Sequence, residues 1–137
     1  MTETHHTTSE AGTEAVARVF ASRLEPGDVL LIDGPLGAGK TAFVRGLAEG
    51  LGAAPEAVSS PTFTLIQEYD GGRLRLYHAD LYRLTPVEAA DLGLSETGEP
   101  GVLAVEWPDR WLTPPAGAVR ISIVRLDDEQ REISIAI

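Results

Sequence analysis

The residues with the clearest capacity for chemistry lie in one octapeptide, Gly34-Pro-Leu-Gly-Ala-Gly-Lys-Thr41. It fits the phosphate-binding pattern G-x-x-x-x-G-K-[ST] at every constrained position. Its glycines let backbone N–H groups converge on a phosphate, Lys40 would place a cation beside the β- and γ-phosphates, and Thr41 would offer a hydroxyl to Mg²⁺. The sequence therefore predicts a nucleoside triphosphate site formed by Leu36, Gly37, Ala38, Gly39, Lys40 and Thr41.

Two acidic residues stand out by position and could reach a magnesium ion bound beside this loop. Glu106 comes directly after Val102–Val105, where a P-loop protein places the acid that holds Mg²⁺ through water or orients the attacking water. A surface glutamate that simply ends a strand is the alternative. Asp80, in Tyr77-His-Ala-Asp-Leu-Tyr-Arg83, is the other candidate, and an aspartate at a strand end can equally cap the next turn. The pattern leaves both roles open for both acids.

Three further side chains have a possible role at this site. Thr62 lies beyond the predicted P-loop helix, where switch segments of nucleotide hydrolases supply a hydroxyl to Mg²⁺, although threonine is also common in strands. For Arg83 we favour an ion pair with one of the 21 acidic residues over a γ-phosphate contact. For Trp107 we favour packing in the core.

The sequence on either side of the octapeptide predicts the elements that must position it. Val29–Ile32 is an uninterrupted apolar run, typical of a parallel strand buried on both faces. From Phe43 to Leu51 apolar residues recur at helical spacing, and Gly52 ends the helix. A strand, a glycine-rich loop and a helix start together favour phosphate binding over a mere glycine-rich turn.

The rest of the chain predicts one domain over residues 7–137, after a disordered lead-in at residues 1–6. A helix should run from Thr7 to about Leu24, with Thr7 and Glu10 as a capping box. The other predicted elements are a hairpin of Thr62–Tyr69 with Arg73–Tyr82, a short helix at Pro86–Asp91, a strand at Val102–Val105, and a hairpin of Ala118–Leu126 with Arg131–Ile137. We expect an α/β P-loop NTPase-like fold. Its mixed central sheet should have a parallel core, antiparallel hairpins at its margins and helices on both faces.

The composition excludes several classes of function. The 137 residues carry a formal net charge of −10, whereas proteins that grip nucleic acid need an excess of lysine and arginine, so we expect no strong direct nucleic-acid binding. No apolar run approaches the ~20 residues that cross a membrane. The chain begins without the pattern of a signal peptide and contains no cysteine. A cytoplasmic location is the expectation.

Taken together, four motifs resemble the TsaE family, whose older name is YjeE. They are Gly34-x-Leu-Gly-Ala-Gly-Lys-Thr41, Ser60-Pro-Thr-Phe-Thr64, Tyr77-His-x-Asp-Leu-Tyr-Arg83 and Val105-Glu-Trp107. Each motif beyond the first is weak alone, but their order and intervals together are specific. The resemblance covers the chain from about Thr7 to the final hairpin.

This resemblance implies an ATPase that assists tRNA modification, with ATP and Mg²⁺ as its cofactors. TsaE proteins act with TsaB and TsaD, which transfer a threonylcarbamoyl group onto the adenosine next to the anticodon, and hydrolysis is thought to drive turnover of that complex. By matching motifs, Lys40 and Thr41 would hold phosphate and Mg²⁺, Thr62 would be the switch hydroxyl, and Asp80 and Glu106 would be the acids needed for hydrolysis.

Two further positions bear on this resemblance: one adds a candidate residue, and the other departs from the family. Thr13, in the helix ahead of the P-loop strand, resembles part of the family's N-terminal region and is a candidate for the nucleotide pocket. Pro35 stands where the family usually has aspartate, and proline lacks the backbone N–H. Because the amides near Gly37–Thr41 matter more for the phosphates, we expect nucleotide binding to survive this change.

Other activities remain open to such a chain. A GTPase normally reads guanine with an Asn-Lys-x-Asp loop, and this sequence contains no asparagine. A small-molecule kinase would need an arginine-bearing lid, and the segment after Asp80 is short and acidic. A nucleotide-gated binding module would dock onto partners in its ATP state without hydrolysis being its purpose. We expect a slow Mg²⁺-dependent ATPase that its partners stimulate.

Overall fold

The residues that the structure describes fold around a seven-stranded sheet. The computed structural model describes residues 1–35, 37–54, 66–70, 72–97 and 100–137. In these ranges the order of elements is β1 (Thr2–Thr7), α1 (Glu10–Ala21), β2 (Val29–Asp33), α2 (Lys40–Leu51), β3 (Ile66–Tyr69), β4 (Leu76–Asp80), α3 (Pro86–Ala90), β5 (Val102–Glu106), β6 (Val119–Arg125) and β7 (Arg131–Ala136).

The strands follow the order β1-β7-β6-β2-β5-β4-β3 across the sheet. Four neighbouring strands, β6, β2, β5 and β4, run parallel, whereas β7 and β1 at one margin and β3 at the other pair antiparallel. The predicted mixed sheet with a parallel core is therefore confirmed. The carboxyl ends of β2, β4 and β5 meet at one edge, which is where open α/β sheets bind their ligands.

Both faces of the sheet are covered by helices, as predicted. The apolar residues of β2 alternate between the faces: Leu30 and Ile32 pack with α1 and α2, and Leu31 packs with α3 on the opposite side. The first core is the larger and includes Phe43 and Leu47 of α2. This packing fixes α2 across the sheet, so that its first residue lies at the carboxyl edge of β2.

Glycines allow α1 and α2 to lie very close together. A Cβ placed on Gly46 of α2 would meet the Glu14 carbonyl oxygen of α1 at 2.2 Å and the Ala17 Cβ at 2.8 Å. Both contacts are far shorter than van der Waals distance, so the two helices could not keep this spacing around any larger side chain. Since α2 begins at the P-loop lysine, the spacing also sets the position of the phosphate-binding residues.

We expect Gly46→Ala to lower the free energy of unfolding by about 1–2 kcal/mol, because overpacking outweighs the gain in helix propensity. Gly12→Ala in α1 is the matched control, since its Cβ would meet only side-chain atoms of Ser9 and Thr7 at 3.3 Å. Urea denaturation curves measure both variants. Equal stability of Gly46→Ala and Gly12→Ala would contradict the close-packing argument.

The prediction for the N-terminus was wrong. Residues 1–6 are not a disordered lead-in, because Thr2–Thr7 forms β1 and pairs antiparallel with β7. The predicted Thr7 capping box is wrong for the same reason: Thr7 is the buried last residue of this strand. The N-cap of α1 is Ser9, whose hydroxyl accepts a hydrogen bond from the Gly12 N–H, and the helix ends at Ala21.

The other predicted elements are present close to their expected bounds. The P-loop strand and helix, the short helix at Pro86, the strand at Val102 and the C-terminal hairpin are confirmed. The first hairpin is confirmed between Ile66–Tyr69 and Leu76–Asp80, and its predicted beginning at Thr62 lies outside the described residues. In the part of the chain that the structure describes, no helix has the length and apolar character needed to cross a bilayer.

Candidate functional site

A cavity of about 930 Å³ opens at the carboxyl edge of the parallel strands. It lies between the P-loop, the ends of β4 and β5, the β1–α1 junction and the turn that joins β6 to β7. The predicted site residues that line it are Thr13, Gly37, Gly39, Lys40, Thr41, Asp80 and Glu106. The fold therefore gathers at one cavity residues that lie far apart in the sequence.

The backbone of the P-loop adopts conformations that require glycine. Gly37 and Gly39 have φ angles of 76° and 106°, and Gly39 is the N-cap of α2. At Gly34 the constraint is space, because a Cβ would meet the Ile123 carbonyl oxygen of β6 at 2.6 Å. The loop thus lies against the sheet, and the first N–H groups of α2 point toward the cavity with the positive end of the helix dipole.

Lys40 is the first residue of α2 and is almost completely buried. Its Nζ donates hydrogen bonds to the carbonyl oxygens of Gly34 and, at 3.0 Å, Pro35. Burial lowers the pKa of Lys40, and the negative charges of Glu106, Asp80 and Asp33 partly offset this effect. The ammonium is therefore held close to acidic side chains and to the loop that would surround a phosphate.

Pro35 contributes to this loop through its carbonyl group. Its oxygen accepts hydrogen bonds from Lys40 Nζ and, at 3.1 Å, from the Ala38 N–H. Proline lacks an N–H but keeps its carbonyl, so these contacts do not depend on the residue type at position 35. Ala38 is fully buried, and Leu36 lies outside the described residues.

Thr13 and Thr41 both line the cavity, in different settings. Thr41 is half-buried in the first turn of α2, next to Lys40. Thr13 is buried, and its Oγ1 lies 3.0 Å from Oγ1 of Thr7 at the end of β1. The Thr13 hydroxyl is thus engaged with the N-terminal strand, while its methyl group approaches Gly39. Thr62 and the rest of its motif lie outside the described residues.

The two predicted acids are neighbours on adjacent parallel strands. Asp80 at the end of β4 is paired in register with Glu106 at the end of β5. Asp80 is half-buried, and its Oδ1 accepts a hydrogen bond of 2.9 Å from the Tyr82 N–H. Glu106 is only 3% exposed. Asp80 therefore lies nearer to solvent and Glu106 deeper, although both face the same cavity.

His78 is a residue of this site that the sequence reasoning did not identify as functional. It is completely buried in β4, and its Nε2 lies 2.5 Å from Oε2 of Glu106. In the sequence, His78 stood out only as a member of the motif Tyr77-His-x-Asp-Leu-Tyr-Arg83. Its partner is 28 positions away, so only the pairing of β4 with β5 brings the two side chains together.

Trp107 follows Glu106 and lines the same cavity. Among the described residues it is the only non-glycine with a positive φ angle, 57°, which is a strained conformation for a bulky side chain. Its ring centroid lies 4.1 Å from Lys40 Nζ and 4.8 Å from the Tyr82 ring centroid. The predicted core role is only partly right, because Trp107 packs at the margin of the second core and also contacts the P-loop lysine.

Two arginines also line the cavity. The predicted ion pair of Arg83 is absent among the described residues, where this exposed side chain makes no hydrogen bond or salt bridge. Arg131 at the start of β7 donates to the carbonyl oxygens of Ala38 at 3.0 Å and Gly37 at 3.4 Å. No local pattern predicts this contact, because it joins positions 93 apart; it supports the P-loop.

The donor set suits magnesium held together with a nucleotide. Thr41, Asp80 and Glu106 present only oxygen ligands, which Mg²⁺ prefers. Within the described residues, no group of three or more His, Cys, Asp or Glu side chains could hold a metal by itself. Proteins usually bind Mg²⁺ through one or two carboxylates plus substrate phosphates, and Asp80 and Glu106 match the carboxylate part of such a set.

Comparison with known protein families gives a match that includes the residues lining the cavity. A family model described as threonylcarbamoyl adenosine biosynthesis protein TsaE matches residues 7–133. The relatives include the tRNA threonylcarbamoyladenosine biosynthesis protein TsaE of Bacillus subtilis strain 168, 48% identical over 89% of this chain and 77% of the relative. The protein of the same name from Treponema pallidum strain Nichols is 47% identical, over 86% of this chain and 88% of the relative.

A solved structure agrees with these sequence matches. The crystal structure of Bacillus subtilis YdiB superposes on this chain with a TM-score of 0.82. The alignment is 39% identical and covers 98% of this chain and 84% of the other. The similarity therefore extends from sequence to fold over almost all of the molecule.

Proposed function

The chain belongs to the TsaE family and has a role in the biosynthesis of threonylcarbamoyladenosine in tRNA, and from this we propose that it is a Mg²⁺-dependent ATPase acting on TsaB and TsaD. The observation that carries the proposal is the meeting of the P-loop, Asp80 and Glu106 at one cavity. A P-loop alone supports phosphate binding, whereas carboxylates beside the γ-phosphate position support hydrolysis.

The binding half of the mechanism follows from the P-loop. The backbone N–H groups of Gly37–Thr41 hold the β- and γ-phosphates at the start of α2, where the helix dipole favours negative charge. Lys40 exchanges its contacts with the Gly34 and Pro35 carbonyls for phosphate oxygens. Thr41, Asp80 and Glu106 are the residues that would hold Mg²⁺, which would supply neutralisation of the phosphate charge.

The hydrolytic half follows from the acids. Glu106 orients a water molecule and accepts its proton as the water oxygen attacks the γ-phosphorus. The bond from the γ-phosphorus to the bridging oxygen breaks, and ADP and inorganic phosphate leave. Asp80 and Thr62 respond to the presence of metal and γ-phosphate, so that hydrolysis changes the docking of the protein to its partners.

The partners are proposed to carry the RNA. This chain has a net charge of −10, so contact with tRNA falls to TsaB and TsaD, in the cytoplasm where the reaction would take place. ATP is the proposed nucleotide, since the chain lacks any asparagine for a guanine-reading loop. Alone, the protein is expected to hydrolyse ATP slowly, and docking would complete the site.

The proposal is tested by phosphate release from ATP, measured for the chain alone and with purified TsaB and TsaD, with Lys40→Ala as the blank. We expect clear stimulation by the two partners and a preference for ATP over GTP in competition. Firm ATP binding without stimulated phosphate release would overturn the proposal. A phosphorylated metabolite in place of free phosphate would instead identify a kinase.

A further inference from the structure

We propose that His78 is a positioning residue for Glu106: its Nε2–H donates to Oε2 of the carboxylate and fixes it, leaving Oε1 for water or metal. The inference deepens the proposed function, on which it rests, because it concerns the same hydrolytic site. No sequence pattern assigns His78 a role; its position beside Glu106 does.

The hydrogen bond is short and isolated from solvent. Nε2 of His78 lies 2.5 Å from Oε2 of Glu106, and the two residues are 0% and 3% exposed. A carboxylate so deeply buried must be hydrogen-bonded, because leaving it unpaired would cost several kcal/mol. His78 supplies this hydrogen bond, and the nearby Lys40 ammonium adds a favourable charge interaction with Glu106.

The sheet register explains why His78 can contact the Glu106 side chain from the interior of the sheet. His78 is paired with Ala104, and Asp80 is paired with Glu106, so His78 lies one pleat deeper on the same face of the sheet. Both strands are buried in the parallel core, which holds their separation rigidly. Asp80 can meet the metal from the mouth of the cavity while His78 restrains Glu106 from the interior.

The second ring nitrogen indicates which tautomer is present. Nδ1 of His78 is buried and has no hydrogen-bond partner among the described residues. An unpaired buried N–H donor is costly, so the geometry favours a ring proton on Nε2, where it has an acceptor, over one on Nδ1. In this form the Nε2–H of His78 donates and Oε2 of Glu106 accepts.

Two substitutions separate positioning from simple core packing. His78→Gln keeps an N–H donor near the place of Nε2, whereas His78→Leu fills the space without a donor. We expect His78→Leu to lower kcat for ATP about 10- to 100-fold. ATP affinity measured without Mg²⁺ should stay unchanged. His78→Gln should recover most of the lost kcat. A packing role alone would give the reverse order, because leucine suits an apolar core better than glutamine.

A measurement on the nucleotide-free wild-type protein tests the tautomer independently of activity. In a ¹⁵N NMR spectrum of the imidazole rings, we expect His78 to show a protonated Nε2 and an unprotonated Nδ1. Glu106→Leu should shift the Nε2–H signal and speed its exchange with solvent. A proton on Nδ1, or a kcat for folded His78→Leu equal to that of wild type, would overturn the inference.

The two hypotheses can fail separately. If wild type with TsaB and TsaD releases no phosphate, the proposed ATPase function fails, whatever the NMR spectrum shows. If wild type hydrolyses ATP but His78 carries its proton on Nδ1, only the positioning role fails. Should His78→Leu not fold, the wild-type spectrum and its response to Glu106→Leu still decide: an Nε2–H signal that shifts in Glu106→Leu supports the role, and a proton on Nδ1 refutes it.

Discussion

Lys40→Ala is expected to weaken ATP binding by about 100- to 1,000-fold, or about 3–4 kcal/mol. Lys40 is the only lysine in the chain, and its ammonium lies within the loop that would surround the phosphates. The variant loses a charge-assisted contact to phosphate oxygens that no other described side chain of the P-loop can supply. Equilibrium binding of a fluorescent ATP analogue, in the presence of Mg²⁺, measures the effect.

The fold should tolerate this substitution. Burial disfavours the charged form of Lys40 and lowers its pKa, so removing the ammonium relieves a desolvation cost while losing its contacts with the Gly34 and Pro35 carbonyls. We therefore expect little change in the thermal unfolding midpoint. Arg18→Ala is the control for charge, because it removes an exposed cation that pairs with Glu49 at 3.4 Å, outside the cavity.

Because the chain has a single lysine, chemical labelling of Lys40 gives a second measurement of ATP binding at the P-loop. Amine-reactive reagents can label only Lys40 and the N-terminal amine, so the modification of one side chain reports the occupancy of the P-loop. ATP with Mg²⁺ should protect Lys40 from labelling and leave the N-terminal amine unchanged. Unimpaired ATP affinity of Lys40→Ala, or labelling that ATP does not reduce, would contradict phosphate binding at this loop.

Local sequence pattern was enough to predict the elements that hold the P-loop. The run Val29–Ile32 is buried on both faces, so its apolar character is visible without knowledge of its neighbours. The helix after Gly39 shows its period through Phe43, Val44 and Leu47. In the same way, the position of Glu106 directly after an apolar run predicted its place at the carboxyl edge. These features each depend on a few consecutive residues.

Features that depend on distant partners could not be predicted in this way. Thr2–Thr7 is polar throughout and becomes a strand only because β7 offers it an edge with which to pair. His78 is hydrogen-bonded to Glu106, and Arg131 to the P-loop carbonyls, across long sequence separations. Ser9 caps α1 in place of Thr7 because Thr7 belongs to the strand. In each case tertiary pairing decides what the local pattern leaves open.

Glu106→Gln is expected to slow ATP hydrolysis by about 100- to 10,000-fold while ATP affinity is retained. Glutamine has nearly the same shape, and its carbonyl oxygen can still accept the hydrogen bond from His78 that Oε2 accepts in wild type. It cannot take a proton from the attacking water. The variant should therefore bind ATP and stop before the chemical step, which single-turnover phosphate release and filter binding measure separately.

The control for this variant is Glu49→Gln, which removes a partly exposed carboxylate on α2 and should leave hydrolysis unchanged. With TsaB, TsaD and tRNA, Glu106→Gln should support at most a first round of modification if hydrolysis drives turnover of the complex. Full modification over many rounds by a variant that releases no phosphate would show that the ATP-bound state alone is the functional one. Wild-type hydrolysis by Glu106→Gln would instead remove Glu106 from the mechanism, because the amide lacks the base on which that mechanism depends.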